Sequence, residues 1–337
     1  VRSEELDYEL PDSAIAQHPL EPRDSARLLV DGAVGEGRHR RVHDLPDLID
    51  PGTVVVLNDT AVIPARVPIL RESGGSGEVL LLEPEGGGWW QALCRPSRQL
   101  HQGTVVSAVT GPLSFEFGES LGGGRRLVRP DCPGSLEDAL RSSGVVPLPP
   151  YINTPLRDPD RYQTVYARRP GSAAAPTAGL HLTDRVLRGI ESAGGTLVNV
   201  ELVIGLDTFK PIAVDRVEDH AIHSEWYRIP ESTWTTVLGA RAEGRPVLAV
   251  GTTSVRALES AAATGELTGR TDLFITPGHS FAAVDRLLTN FHLPRSSLLA
   301  LIEAAIGPRW RTMYDEALGR RYRFLSFGDA SLLEVRR

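Results

Sequence analysis

The 337-residue chain reads as an α/β protein with a small all-β module set into its middle. Three observations predict this. The apolar run Gly52-Thr-Val-Val-Val-Leu57 has the length of a buried strand and ends in the polar cluster Asn58-Asp59-Thr60, where a strand gives way to a loop. From Pro64 to Pro150, short β-rich runs alternate with glycine-rich turns and no long helical period intervenes. After Tyr151 the helical period returns. At about 150 residues per domain the chain accommodates two. The α/β domain is therefore placed at residues 1–63 and 151–337, with the β module at 64–150 inserted between its halves.

Taken in order, residues 13–17 form a short helix-like stretch. Residues 78–83, 104–110, 113–117 and 125–129 are the β-rich runs of the module, separated by turns such as Glu85-Gly-Gly-Gly88 and Leu121-Gly-Gly-Gly124. Pro147-Leu-Pro-Pro150 closes the module. Thr183 or Asp184 then caps a helix that turns Val186, Leu187 and Ile190 inward and stops at Gly194-Gly195. Residues 197–204 are strand-like, and Ser232 opens another helix. The short strand Val247-Leu-Ala-Val250 runs into Gly251-Thr-Thr-Ser254 and a helix through Ala263. Residues 273–275 and 287–291 are further strand candidates, and 296–306 is an amphipathic helix.

Composition excludes several classes. With 41% hydrophobic and 23% charged residues the chain matches ordinary globular proteins. No apolar run reaches the ~18 residues of a membrane span, and residues 1–10 are too acidic for a signal peptide. Cys94 and Cys132 stand far apart without a CxxC pair, which argues against a disulfide framework or zinc knuckle and for a cytoplasmic location. A net charge of −7 excludes a bulk basic coat for nucleic acid but leaves room for a local patch. Lys210 is the only lysine, so any phosphate contact elsewhere would be an arginine fork.

Four motifs have the makings of a site. Gly251-Thr252-Thr253-Ser254 lies between a strand and a helix, where free N–H groups and the helix dipole favour an anion; the bland alternative is an ordinary N-cap. Ala175-Pro-Thr-Ala-Gly-Leu-His181 delivers a histidine on a glycine-flanked loop, a common way to present an acid or base. Asn290-Phe-His292 ends a strand, and Phe327-Gly-Asp329 is a turn offering a carboxylate. Ligands of open α/β sheets gather at strand ends, so a pocket joining His181, His292, Asp329 and the Gly251 loop is expected. The run His220-Ala-Ile-His223-Ser-Glu225 has metal-like spacing but lacks a distant third ligand, and no metal is expected. His39 and His43 read as a solvated face.

These residues, with Tyr8-Glu-Leu-Pro11, Val62-Ile-Pro-Ala-Arg66, Tyr162-Gln-Thr-Val-Tyr-Ala167, Thr271-Asp-Leu-Phe-Ile275 and Thr289-Asn-Phe-His-Leu-Pro294, closely resemble the S-adenosylmethionine:tRNA ribosyltransferase-isomerase family of the queuosine pathway. Matching blocks run nearly end to end. The resemblance implies a barrel-like α/β catalytic domain interrupted by a small β-barrel. It also implies transfer and isomerisation of the ribosyl group of S-adenosylmethionine onto 7-aminomethyl-7-deazaguanine in tRNA, giving epoxyqueuosine, adenine and methionine. No prosthetic group is needed, and a monomer is expected. Such chemistry requires a base for the acidified C5′ hydrogen, a donor for departing adenine and a carboxylate site. His181, His292, Asp329 and Asp272 are carried over as catalytic. Asn58, Asp59, Thr60, Arg66, Thr177, Gly179, Gly251, Thr252, Thr253, Ser254, Arg256 and Asn290 are carried over as substrate-binding.

Departures from the family pattern fall at Ala61, Asn153, Val203, Asp207 and His279, and at Pro96-Ser-Arg-Gln99 in place of a basic run. Val203 stands where the family usually has histidine and Asp207 where it has glycine. Asp207 is expected to bind a cationic substrate group in compensation. The lost cations raise an alternative, a divergent member that uses S-adenosylmethionine but transfers to a small amine.

Overall fold

In the computed structural model, which describes residues 1–32, 38–71, 73–205, 211–222 and 224–336, the run before Asn58 lies at the heart of a mixed sheet. Along the chain, β1 (Arg27–Val30), β2 (Arg38–Arg41), β3 (Val54–Asn58) and β4 (Thr60–Val62) come first. Next are β5 (Arg66–Leu70), β6 (Ser76–Gly86), β7 (Trp89–Arg95), β8 (Val105–Ala108), β9 (Ser114–Gly122), β10 (Arg125–Asp131) and α1 (Leu136–Ser143). They are followed by β11 (Arg169–Ser172), α2 (Asp184–Ser192), β12 (Thr196–Leu202), β13 (Glu225–Arg228), α3 (Glu231–Ala242) and β14 (Val247–Val250). The last described elements are α4 (Thr252–Thr264), β15 (Thr268–Thr271), β16 (Arg286–Asn290), α5 (Ser297–Ile306), α6 (Arg309–Gly319) and β17 (Ala330–Glu334). No described helix is long and apolar enough to cross a membrane.

Two units emerge. One comprises Val1–Thr60, Pro150–Arg169 and Ala175–Arg337; the other comprises Ala61–Pro149 and Pro170–Ala174. The first holds a nine-stranded sheet in the order β15-β13-β12-β3-β14-β16-β17-β1-β2. At its centre β12, β3, β14 and β16 run parallel. All five residues of β3 are buried, as expected of a parallel strand covered on both faces. Its core joins Leu28, Val55, Leu57, Leu248, Val250 and Leu288 to Val186 and Ile190 of α2. Thr183 caps α2, accepting from the Val186 amide at 3.3 Å.

The second unit closes six strands into a barrel, β10-β7-β6-β5-β8-β9. Its interior is filled by alternate residues such as Val67, Ile69, Val79, Phe115, Phe117 and Val128, the usual filling of a small barrel.

Several expectations are corrected. The large sheet does not close into a barrel-like domain, because β15 and β2 are open edges among the described residues. Residues 273–275 are not a strand. Their backbone is drawn off by side chains: the Leu273 amide donates to Thr271 Oγ1 at 3.1 Å and its carbonyl accepts from Arg256 at 3.2 Å. Of residues 13–17, Ser13 and Ala14 lie in the short 3-10 turn Asp12–Ala14 and Ile15 bridges to Phe324. The β-rich stretch also contains α1, capped by Ser135. His39 is not on a solvated face. It is half-buried, between Tyr322 Oη at 2.7 Å and Glu316 at 2.8 Å.

Candidate active site

Because β3, β12, β14 and β16 are parallel, their C-terminal ends bring Asn58, Ile204, Gly251 and Asn290 to one rim of the sheet. A cavity open to solvent lies there. Ala175, Pro176, Ala178, Ile204, Phe291, Leu293, Leu298 and Leu325 supply its apolar wall. Tyr151, Thr177, Thr252, Thr253, Thr289, Asn290, His292, Ser296 and Ser326 supply polar groups, and no charged side chain lines it among the described residues. An apolar pocket with a few convergent polar groups suits a small organic ligand.

Gly251 turns β14 into α4 with φ +87°, a backbone conformation natural to glycine. Thr252 and Thr253 therefore stand at the helix start, on the cavity wall, beside N–H groups that have no intrahelical partner. A carboxylate fits that end of the cavity.

His292 lies on the opposite part of the lining, 7% exposed. Its Nε2 meets the Thr289 hydroxyl at 2.9 Å. Its backbone is anchored by two tyrosines: the amide donates to Tyr314 Oη at 3.1 Å, and the carbonyl accepts from Tyr8 Oη. Burial pulls its pKa down to about 3, so the ring is neutral at physiological pH. His181 is also buried and is lowered to about 4, chiefly by desolvation, against the pull of Asp329. It does not line the cavity. Asn290 stands between: its amide donates to His181 Nε2 at 2.9 Å and to the Leu325 carbonyl at 3.2 Å, and its oxygen accepts from Thr177 Oγ1 at 3.0 Å.

Other expected residues are spent elsewhere. Asp329, 1% exposed, accepts from the Arg27 and Arg323 amides at 2.8 Å and pairs with the Arg27 guanidinium at 2.9 Å. Both its oxygens are occupied, so it clamps the turn before β17 instead of presenting a free carboxylate. Asp272 is exposed and outside the cavity lining. Arg256 forms a buried ion pair with Glu225 and bonds the Leu273 and Thr271 carbonyls. Asn58 ties β3 to Leu202 and to Thr253 Oγ1 at 3.2 Å. The Ser254 hydroxyl donates back to the Val250 carbonyl at 2.8 Å.

Asp59 lines a separate surface depression with Arg168 and Arg169, and burial raises its pKa. Thr60 is buried. Gly179 is structural: a Cβ there would come within 1.8 Å of Tyr166 Oη. Arg66 belongs to the barrel unit, where it grips both Glu78 oxygens at 3.0 Å.

Asp207 and His223 lie outside the described residues. Glu225, the carboxylate of the metal-like run, is committed to Arg256. Val203 is not part of the lining, although its neighbour Ile204 is. His279 faces the buried Glu259 at 3.4 Å and packs edge-on to Phe281. Tyr151, Thr289, Phe291 and Ser326 were missed as site residues. Each adjoins or lies within a motif block, and that adjacency was the available signal.

Residues 3–333 match the family described as Queuosine biosynthesis protein. An S-adenosylmethionine:tRNA ribosyltransferase-isomerase of Rubrobacter xylanophilus is 52% identical over 336 residues, covering 99% of this chain and 98% of that protein. One of the same name from Anaeromyxobacter is 47% identical, with 99% of each chain covered. The crystal structure of an S-adenosylmethionine tRNA ribosyltransferase from Thermotoga maritima superposes with a TM-score of 0.55 at 34% identity, covering 97% of this chain and 99% of that one. Similarity of this extent, end to end, places the chain in the queuosine biosynthesis protein family.

Proposed function

We propose that this protein is an S-adenosylmethionine-dependent tRNA ribosyltransferase-isomerase. It moves the ribosyl group of S-adenosylmethionine onto the aminomethyl group of 7-aminomethyl-7-deazaguanine in tRNA, giving epoxyqueuosine and releasing adenine and methionine. The observation that carries this reading is the 52% identity, over 99% of the chain, to a relative bearing that name. The apolar walls and few polar groups of the cavity support it, since the nucleoside part of that ligand needs apolar contact and a few fixed hydrogen bonds. The small-amine alternative is not favoured: relatives named for tRNA match the chain throughout.

In this reading the amides and hydroxyls of Thr252 and Thr253 receive the methionine carboxylate. Thr289 orients His292: when Nε2–H donates to its hydroxyl, Nδ1 presents a lone pair. Nδ1 takes the C5′ proton that the sulfonium has acidified. The imidazolium so formed donates that proton to a ring nitrogen of departing adenine, which returns His292 to its neutral form. Asn290 and Thr177 position this wall, and His181 acts through Asn290. The barrel unit is read as a domain inserted in the catalytic chain, and the enzyme as a cytoplasmic monomer without a prosthetic group.

The test is incubation with S-adenosylmethionine and tRNA carrying the aminomethyl base, followed by mass spectrometry of nucleosides and small molecules. Epoxyqueuosine with equimolar adenine and methionine is expected. Unaltered tRNA with no adenine release would overturn the reading.

A further inference from the structure

Behind Asn290 lies a second, smaller recess, open to solvent. Arg23, Arg161, His181 and Ser326 supply its polar groups, and no carboxylate lines it. Ser326 lines the first cavity too, and the 2.9 Å bond from Asn290 to His181 joins one wall to the other. The two sites are neighbours of opposite character, one uncharged and one doubly cationic.

The guanidiniums are held in place by backbone. Arg23 donates to the Gln163 carbonyl at 2.9 Å and Arg161 to the Leu20 carbonyl at 2.6 Å. Arg161 has one acidic partner, Glu21 at 2.9 Å, whose side chain is 77% exposed and outside the lining. Arg23 has no ion pair among the described residues. Burial and repulsion from Arg161 lower its pKa, against the pull of Glu21 and Asp158. The two cations repel each other at one recess and their neighbouring carboxylates Glu21 and Asp158 lie outside its lining, so the recess itself is cationic and suited to an oxyanion. Arginine forks match tetrahedral and planar oxyanions.

We propose that Arg23 and Arg161 hold a phosphodiester of the RNA substrate, next to the nucleotide whose base reacts in the first cavity. The assignment rests on the tRNA reading above and deepens it. RNA supplies a phosphate at every nucleotide, and a shared wall lets one nucleotide reach both recesses. Glu21 occupies Arg161 in the absence of RNA and gives way to the phosphate.

Steady-state kinetics of the full chain with tRNA and S-adenosylmethionine test this, using Arg23→Gln, Arg161→Gln and Glu21→Gln. Each arginine variant should raise the KM for tRNA by about tenfold and flatten its log–log salt dependence by roughly 0.7–0.9. The KM for S-adenosylmethionine should stay within about twofold. Glu21→Gln, at an exposed position, should lower the KM for tRNA, and it decides the matter if the arginine variants do not fold. Unchanged tRNA parameters in the folded variants would overturn the proposal. So would a rise confined to the KM for S-adenosylmethionine, which would make the bound oxyanion that molecule's carboxylate. If the wild-type chain modifies no tRNA, calorimetry with inorganic phosphate separates the two claims. Binding lost in Arg23→Gln keeps the oxyanion site while the functional reading fails; no binding by wild type removes the site as well.

Discussion

His292 and His181 are chemically alike and structurally different. Both are almost fully buried, and desolvation lowers both, to about 3 and about 4. His292 meets a hydroxyl and faces an uncharged cavity. His181 meets an amide and faces a recess with two arginines. A depressed pKa therefore says that a histidine is dry, and its neighbours decide what it can do. The first suits proton transfer to and from a small ligand. The second suits positioning beside an anion.

The sharpest way to break this contrast is a pair of substitutions. His292→Gln should lower kcat by about 10²–10⁴-fold with little change in thermal midpoint, and Thr289→Val should follow it in part. His181→Gln should cost less than about tenfold in kcat. A reversed order would put the proton-transfer group in the second recess.

Asp329→Asn, close to His181, is expected to act on stability. It removes the charge that pairs with Arg27 and one of the two oxygens that accept backbone amides, a loss of about 3–5 kcal/mol. Chemical denaturation measures it. A normal midpoint with abolished turnover would return this carboxylate to the reaction.

pH titration sharpens the comparison further. With folded values below the ordinary 6.5, both rings take up protons more readily in the unfolded chain as pH falls. Their contribution is whole above that value and declines below it, by up to about 1.4 kcal/mol per pH unit for each ring until its folded pKa is reached. The urea midpoint should drop between about pH 7 and pH 5, less steeply in His292→Gln.

The smallest effect concerns the loop that carries His181. Gly179→Ala should cost about 1–3 kcal/mol through collision with Tyr166. Tyr166→Phe should recover part of it, since the Tyr166 hydroxyl has no hydrogen-bond partner among the described residues while ring carbon Cζ, 2.9 Å from the added Cβ, remains. Additive losses in the double variant would show that the collision is not what matters.

Much of this was legible in the sequence. The strand before Asn58, the turn at Gly251 and the start of α2 at Thr183 or Asp184 declare themselves because each has a local cause: an apolar run, a glycine, a polar side chain before a helix. β1 and β17 are short and owe their pairing to each other from opposite ends of the chain, which no local pattern reveals. At the site, motif blocks located Thr177, Thr252, Thr253, Asn290 and His292 on the cavity wall. The same blocks also promoted Asn58, Arg256 and Asp329, whose hydrogen bonds are internal. A buried polar side chain must be satisfied whether it serves a ligand or the fold, so sequence alone does not separate the two. Arg23 and Arg161 are 138 residues apart, and only the fold brings them to one recess.

An open sheet, unlike a closed barrel, keeps two margins at which another chain can add a strand. Among the described residues the margins are β2, reading Arg38-His39-Arg40-Arg41, and β15, reading Thr268-Gly269-Arg270-Thr271. Each is four residues long and carries arginine, and β15 has a glycine as well. Short, cationic margins are poor templates, because an incoming strand would have to strip water from guanidiniums and gain few ladder bonds in return. Replacing the arginines of β2 with valine or threonine would remove that cost and favour strand addition at this margin.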